Sequence, residues 1–205
     1  LAFYPNILDP DPGVSGPAIE HLKKVIDAAV LLEAPIVGTF IGADVTKYAD
    51  QNLETFTTVW PPIIAYARER GIKIAIENCP MLWKQTWPGG TNLAYSPAIW
   101  RRMFEIIPDD KFGLYYDTNH LIWQFIDEVR PIKDFRDRIF HVHAKDMEID
   151  REQLYQHGVI EPGFSWAIPR LPGLGAVRWP ELVAALYAIG YNSVISVEHE
   201  DRAFE

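Results

Sequence analysis

Two long stretches of the chain carry apolar residues at helical spacing. One stripe comprises Leu22, Val25, Ile26, Ala29 and Leu32, and the other comprises Leu53, Phe56, Trp60, Ile63 and Ala67. Because residues three and four apart share one face of a helix, each stripe predicts an amphipathic helix. Gly16-Pro17 predicts the start of the first helix, since a first turn does not need the amide that proline lacks. Pro61-Pro62 predicts a kink in the second helix.

Short apolar runs between the helical patterns predict strands. They cover residues 36–40, 72–77, 112–117, 139–145 and 193–198, and further helices are predicted over residues 97–107, 120–128 and 180–189. Regular alternation of strands and helices favours an α/β fold with a parallel sheet and helical crossovers. Residues 146–178 interrupt the alternation with a long segment rich in aromatic residues, proline and glycine, which predicts a functional loop.

Composition narrows the class of protein. With 205 residues, 48% of them apolar, residues 1–205 are expected to form a single domain. The formal charge of −9 disfavours nucleic acid and anionic lipid as partners. The single cysteine, Cys79, favours a reducing cytoplasm, and no apolar stretch reaches the ~18 residues that a membrane span needs. We therefore expect a cytoplasmic protein with neither a membrane nor a nucleic-acid partner.

Four side chains of the kinds that bind metal ions are predicted to lie near one another. Residues two apart share a face of a strand, which places Glu77, Asp117, His143 and Glu198 at the carboxyl ends of four strands. If the strands curve into a barrel, these side chains converge at its mouth. Three carboxylates and an imidazole suit one divalent ion, Mn²⁺, Mg²⁺ or Co²⁺, and tolerate Zn²⁺, and an ion would offset the repulsion between the carboxylates.

Each of these residues taken alone also has a simpler interpretation. A single carboxylate at the end of a strand could cap the next helix or meet solvent, but agreement across four strands favours a metal site. His141, which lies lower on the same strand face as His143, is expected to be a hydrogen-bonded core histidine and not a ligand.

Five short motifs, in this order, carry a resemblance to a known family. They are Ile76-Glu77-Asn78, Tyr116-Asp117-Thr118-Asn119-His120, His141-Val142-His143-Ala144-Lys145-Asp146, Leu171-Pro172-Gly173-Leu174-Gly175 and Ser196-Val197-Glu198-His199. Together they resemble the xylose isomerase-like superfamily, in particular the sugar phosphate isomerase/epimerase group. The resemblance runs almost end to end, and it implies a TIM (β/α)8 barrel that binds one divalent metal ion and acts on a sugar, sugar phosphate or polyol.

The resemblance also implies roles for individual residues. Glu77, Asp117, His143 and Glu198 match the metal ligands of the family, and His120 matches a histidine that contacts the substrate. In isomerases and epimerases of the family the two glutamates also transfer protons, while the ion polarises a carbonyl and the neighbouring hydroxyl and stabilises an enediolate.

Other residues are second-tier candidates for substrate binding. Lys145 could bind a phosphate or carboxylate, or be a solvated lysine at the end of its strand, and Arg170 resembles a family arginine near the barrel mouth. Trp83, Trp87 and Trp166 could stack on a sugar, or simply pack in the core or at an interface.

The number of strands departs from the family pattern. The sequence supplies about six strands, corresponding to strands 3 to 8 of the barrel, with residues 1–4 as the first. We expect an incomplete copy of the barrel, a six-stranded parallel arc whose edges at residues 1–4 and 193–198 are unpaired. Such edges could pair with a second copy in a homo-oligomer.

Three alternatives stay open. A metal-dependent lyase such as an inosose dehydratase would use the same ligands. An apurinic endonuclease shares this ligand frame but needs a further Asp-x-His motif, whereas Tyr155 stands two residues before His157. A metal-free, non-catalytic binding module is the third alternative, and metal analysis would distinguish it from an enzyme.

Overall fold

The computed structural model describes residues 1–82, 90–161 and 163–204. Contacts divide the chain into two compact units, Leu1–Tyr115 and Tyr116–Glu205, which are described separately. The main sheet has five strands in the hydrogen-bonded order β1-β2-β3-β4-β7, and β5 and β6 form a second sheet of two strands. A single domain over residues 1–205 stays a prediction.

The first unit alternates helices and strands. Its elements are α1 (Pro12–Leu31), β1 (Ile36–Thr39), α2 (Ala49–Glu69), β2 (Lys73–Glu77), α3 (Pro97–Ile106) and most of β3 (Phe112–Asp117). The strands are parallel, with Ile36 of β1 opposite Lys73 of β2 and Glu77 of β2 opposite Tyr115 of β3. Parallel strands of this kind need helical crossovers, which α2 and α3 provide.

The core of the first unit confirms the second helical stripe, because all five of its apolar residues on α2 are buried. The Trp60 ring lies 6.3 Å from the rings of Phe56 and Phe112, and its indole nitrogen donates to the carbonyl oxygen of Ile41 at 3.1 Å. Among the described residues no helix combines the length and the apolarity that crossing a membrane requires.

The predicted start of the first helix is wrong. The helix begins at Pro12 and contains Gly16 and Pro17. Asp11 is the better start signal, because its side chain accepts a hydrogen bond from the backbone nitrogen of Gly13 at 2.7 Å while Pro12 occupies the first turn. The second helix continues as one element through the predicted kink at Pro61-Pro62.

The second unit contains shorter elements. They are the end of β3, α4 (Asn119–Ile122), α5 (Arg130–Asp134), β4 (Ile139–Ala144), β5 (Asp146–Ile149), α6 (Arg151–His157), β6 (Ala167–Arg170), α7 (Trp179–Ala188), β7 (Ile195–Val197) and a 3-10 turn (Arg202–Phe204). The helix predicted over residues 120–128 therefore ends early, and the sequence pattern did not predict α5. Phe125 has a φ of 57°, a left-handed conformation that a helix cannot contain.

The segment 146–178 is not the irregular loop that its composition suggested. β5 and β6 form an antiparallel ribbon in which Asp146 pairs with Arg170 and Ile149 pairs with Ala167, and α6 lies between them. The strict alternation of strands and helices is consequently wrong here, since β5 follows β4 after one residue.

The predicted first strand is reduced to a single bridge. Ala2 pairs in parallel with Gly38, supported by hydrogen bonds from Phe3 N to Gly38 O and from Gly38 N to Leu1 O, both 2.9 Å. Pro5 has no amide hydrogen to extend the ladder. The main sheet of the described residues thus has five strands instead of the six expected. β7 pairs with β4, and its Ile195 and Val197 remain exposed.

The corrected start of α1 makes a testable prediction. Asp11 closes the first turn of α1, since its carboxylate accepts from the backbone nitrogen of Gly13 at 2.7 Å. Asp11→Ala should therefore lower the free energy of unfolding by about 0.5–2 kcal/mol in urea titrations. Glu20→Ala, which removes an exposed carboxylate paired with Lys23 on the same helix, is the control and should change the free energy of unfolding by less than about 0.5 kcal/mol. An Asp11→Ala variant as stable as the wild-type protein would contradict the assigned start of α1.

Candidate metal site

Three of the predicted metal ligands converge in the second unit. Asp117 ends β3, His143 lies on β4, and Glu198 directly follows β7. Each offers one ligand atom, and these atoms lie within 4.8 Å of one another. His143 Nδ1 is 3.1 Å from Glu198 Oε2 and 3.7 Å from Asp117 Oδ2. Asp117 and His143 are buried, and Glu198 is partly buried.

The strand register explains this convergence. His143 stands opposite Ser196 in the parallel pair of β4 and β7, and the ladder continues through a hydrogen bond from Glu198 N to Ala144 O at 3.2 Å. Glu198 is two residues beyond Ser196 and therefore shares its strand face. The first oxygen of Asp117 accepts from Asn119 N at 2.8 Å, and the second is the one that faces His143.

The electrostatics of the three side chains favour a proton on His143 in the absence of metal. Burial lowers the pKa of His143, but the neighbouring carboxylates of Asp117 and Glu198 outweigh burial and raise the pKa to about 9. The same contact with His143, helped by Lys145, lowers the pKa of Glu198 to about 2. An imidazolium thus balances part of the negative charge of the two carboxylates.

The donor set fits a divalent metal ion. Carboxylate oxygens and an imidazole nitrogen are ligands that Mn²⁺, Co²⁺ and Zn²⁺ accept, and Mg²⁺ favours the oxygens. The Oε2 atom of Glu198 is buried and accepts no well-aligned hydrogen bond from the described residues, which is expected of an oxygen directed towards an ion. An ion at this point would replace the proton on His143.

Lys145 is a buried partner of Glu198, not a solvated lysine. Its side chain is almost completely inaccessible, and Nζ lies 3.3 Å from Glu198 Oε1 and 2.7 Å from Glu200 Oε2. Burial lowers the pKa of Lys145, but Asp117, Glu200 and Glu198 raise it further than burial lowers it. Lys145 therefore stays charged and engages the oxygen of Glu198 that faces away from His143.

His120 lies beside Asp117, one of the predicted metal ligands. It lies on α4, three residues after Asp117, and its Nε2 atom is 3.4 Å from Asp117 Oδ2. The indole nitrogen of Trp123 donates to the other ring nitrogen at 3.4 Å. The ring of His120 is therefore held between a carboxylate and an indole.

Arg170 is held by two carboxylates in the second unit. Its Nε and Nη2 atoms both lie 2.7 Å from Glu148 Oε2, and Nη1 lies 3.3 Å from the fully buried Asp201. Asp201 also accepts from Leu171 N at 3.1 Å. Arg170 thus joins the β5–β6 ribbon to the segment that follows Glu198.

The remaining candidates are Glu77 and three tryptophans. Glu77 ends β2 in the first unit and is buried. Trp166 is completely buried and stacks on Phe125 at 6.0 Å, so the packing interpretation describes it better than exposure to a sugar. Trp83 and Trp87 lie outside the described residues.

His141 has the hydrogen bond that was expected of a core histidine. Its Nε2 atom lies 2.6 Å from Ser196 Oγ, and burial is the main cause that lowers its pKa to about 4. The ring is partly exposed, so the position is less deeply buried than a core residue.

Sequence reasoning missed Asp146, the carboxylate that shapes the segment after the ribbon. Its Oδ2 accepts from Gly173 N at 2.9 Å, Gly175 N at 3.1 Å and the indole nitrogen of Trp179 at 2.8 Å, and its Oδ1 accepts from Val177 N at 3.0 Å. A β-carbon on Gly175 would lie 2.3 Å from the carboxylate. Gly175 was the available signal, because a backbone that approaches a carboxylate this closely needs glycine.

A second missed pair is Glu128 with Arg178. Glu128 is buried, and its two oxygens lie 3.0 and 3.1 Å from Nε and Nη2 of Arg178. This bidentate pair fixes the start of α7, and the spacing of fifty residues between the partners left no local signal.

Sequence relatives include proteins of two descriptions. The chain is 25% identical over 213 residues to the uncharacterized protein YfiH of Bacillus subtilis, covering 93% of this chain and 68% of the relative. It is 27% identical over 159 residues to the inosose dehydratase of Lacticaseibacillus casei, covering 77% of this chain and 50% of the relative. The chain thus spans from half to about two thirds of these relatives.

Solved structures share the fold at low sequence identity. The IOLI protein with a bound zinc atom superposes with a TM-score of 0.76 at 18% identity, covering 100% of this chain and 68% of that one. L-ribulose 3-epimerase superposes with a TM-score of 0.71 at 19% identity, covering 98% of this chain and 62% of that one.

The family model described as the xylose isomerase-like TIM barrel matches residues 1–204. The five-stranded sheet accounts for part of the eight strands of such a barrel. The chain therefore belongs to the xylose isomerase-like TIM barrel family.

Proposed function

We propose that the protein is a divalent-metal-dependent isomerase or epimerase that acts on a sugar, sugar phosphate or polyol by proton transfer. The observation that carries the proposal is the convergence of Asp117, His143 and Glu198 within ligand distance of one another. The likeness to L-ribulose 3-epimerase and to a D-allulose 3-epimerase in complex with D-allulose supports a sugar as the substrate class.

The proposed metal set is Glu77, Asp117, His143 and Glu198. Glu77 joins the three ligands of the second unit on two grounds, its place at the carboxyl end of β2 and its match to the family motif Ile76-Glu77-Asn78. The zinc atom of the IOLI structure supports a divalent ion, and Mn²⁺, Mg²⁺, Co²⁺ and Zn²⁺ are all candidates. When bound, the ion would supply the Lewis acidity that polarises a substrate carbonyl.

The two glutamates are the proposed catalytic residues. In an epimerase or isomerase, one carboxylate removes a proton from the carbon beside the carbonyl, and the other returns a proton. For Glu198, the contact of Oε1 with Lys145 fixes the orientation of the carboxylate, so that Oε2 faces His143. Glu77 is the second proposed proton-transfer group.

Substrate binding is assigned to three side chains. His120 is the principal candidate, because it stands next to the ligand Asp117 and carries ring nitrogens that suit a hydroxyl. Lys145 and Arg170 are proposed contacts for a phosphate or carboxylate, which would have to compete with Glu198 and Glu148 for them.

A lyase is the second candidate function. Four relatives described as inosose dehydratases, from Lacticaseibacillus casei and two Geobacillus species, favour it specifically. The ligand set would be the same, and the proton removed beside the carbonyl would be followed by loss of water. The proposal includes no nucleic-acid partner, because the chain carries a formal charge of −9. It includes a cytoplasmic location, which the single cysteine favours.

Metal analysis and a substrate panel test the proposal together. The complete protein, treated with chelator and then given Mn²⁺, Mg²⁺, Co²⁺ or Zn²⁺, should be active only with metal on a panel of ketoses, sugar phosphates and inososes. Conversion of ketoses supports the epimerase, whereas dehydration of an inosose supports the lyase. Protein that binds none of the ions and converts no substrate would favour the non-catalytic module.

The first mutational prediction concerns the glutamates. In the complete protein, Glu77→Gln and Glu198→Gln should each lower kcat by at least ~100-fold, because each loses a metal charge and a proton-transfer group. His120→Ala should instead raise KM more than it lowers kcat. Steady-state kinetics with the best substrate measure both effects, and equal activity of all three variants would refute the mechanism.

The second prediction follows the proton on His143. In metal-free protein, NMR titration of the His143 ring should give a midpoint near the pKa of about 9, while His141, with a pKa of about 4, serves as the internal control. Since a folded-state pKa above the ordinary value keeps the proton at pH 7, metal binding at pH 7 should release about one proton. Affinity should therefore rise with pH up to the His143 midpoint.

Calorimetry in buffers of different ionisation enthalpy measures that proton directly. His143→Gln is the matched variant, because it should bind metal more weakly and release no proton from this position. An ordinary midpoint for His143, or metal binding without proton release in the wild-type protein, would contradict the prediction.

A further inference from the structure

Asn92 is a buried side chain of the first unit that joins the carboxyl ends of β1 and β2. Its exposed fraction is 1%. Its Oδ1 atom accepts from the backbone nitrogen of Ile41 at 3.0 Å, and its Nδ2 atom donates to the carbonyl oxygens of Glu77 at 2.9 Å and Cys79 at 2.7 Å. Both amide hydrogens of Asn92 are thus used on the chain that leaves β2.

These hydrogen bonds hold the backbone in place at Glu77. One hydrogen bond fixes the carbonyl of Glu77 itself, and the other fixes the carbonyl two residues further on, at Cys79. Fixing the peptide at these two points fixes the direction of the Cα–Cβ bond of Glu77. A metal ligand must be held to within about 0.5 Å of its productive position, so backbone support at this point determines ligand geometry.

We propose that Asn92 is a positioning residue for Glu77. It acts on the metal site through the backbone of β2 and contacts neither metal nor substrate. The inference rests on the proposed function, in which Glu77 is a metal ligand. No sequence motif marks Asn92, because Ile41, Glu77 and Cys79, the partners that carry this inference, lie 13 to 51 residues away along the chain.

Asn52 provides a matched control in the same unit. It is 3% exposed, its Oδ1 atom accepts from Asp44 N at 2.7 Å, and its Nδ2 atom donates to the carbonyl oxygens of Asp44 at 3.1 Å and Lys47 at 3.2 Å. Asn52 therefore has the same kind of backbone hydrogen bonds as Asn92, but they support the start of α2 and not the end of β2.

The experiment compares Asn92→Asp with Asn52→Asp in the complete protein. Each change keeps the shape of the side chain and removes the donors that hold backbone carbonyls. Three quantities are measured: the urea midpoint, hydrogen exchange of the backbone amides of residues 77–79, and the Kd for Mn²⁺ by calorimetry on chelator-treated protein. Both variants are expected to lower the urea midpoint.

Only Asn92→Asp should affect the Glu77 region. It should weaken Mn²⁺ binding by at least ~10-fold, the effect typical of residues that orient metal ligands, and speed exchange at residues 77–79 by at least ~10-fold. Asn52→Asp should leave both within about twofold of the wild-type values. If Asn92→Asp does not fold, Asn92→Ser and Asn52→Ser, which remove the same donors without adding charge, replace the pair.

The outcomes separate this inference from the proposed function. Equal effects of the two variants on Mn²⁺ affinity and on exchange would overturn the positioning role of Asn92. If wild-type protein binds no Mn²⁺ but binds Mg²⁺, Co²⁺ or Zn²⁺, the Kd for that ion is compared instead. If it binds none of the four ions, the metal proposal fails, and the exchange rates at residues 77–79 alone decide whether Asn92 supports Glu77.

Discussion

Two carboxylates that share a buried space need positive charge beside them, and the second unit is built around this requirement. Asp117 and Glu198 reach the same point from different strands, with His143 between them and Lys145 on the far oxygen of Glu198. Without metal, the proton on His143 supplies the nearer positive charge, and its raised pKa is the consequence. A divalent ion can take the place of that proton, so the folding of the strand ends and the binding of metal depend on the same charges.

Strand parity predicts part of this arrangement because the side-chain period of a strand is fixed at two. The predicted strand over residues 112–117 has the observed bounds, and the place of Asp117 follows from it. The apolar stripe of α2 is equally reliable, since burial of one helix face leaves a strong pattern. Helix ends are less predictable. The side chain of Asp11 caps the start of α1, whereas the Gly16-Pro17 pair, which predicts a start five residues later, lies inside the helix.

The rest of the candidate site depends on hydrogen bonds between distant residues, which no local pattern encodes. Asp146 holds backbone nitrogens some 30 residues further along the chain, and Asn92 holds carbonyls on both sides of Asn78. The burial of Lys145 could not be predicted either. A lysine at the end of a strand is usually solvated, and only the fold shows that Glu198 and Glu200 pair with it. The two-residue period of a strand predicts the face on which a side chain lies. Its hydrogen-bond and ion-pair partners are known only once the fold is known.

Delivery of the second proton is the step that distinguishes an epimerase from a lyase. Both reactions begin by removing a proton beside a carbonyl, but an epimerase returns a proton to that carbon, whereas a lyase protonates a departing hydroxyl. Lys145 is a poor donor for either reaction, because Glu198 and Glu200 pair with it and its pKa is raised. His120 is the alternative, because it lies 3.4 Å from Asp117 and its ring can donate a hydrogen bond to a substrate hydroxyl. A lyase would therefore use His120 in the chemical step, whereas an epimerase that uses two glutamates needs His120 only to orient the substrate.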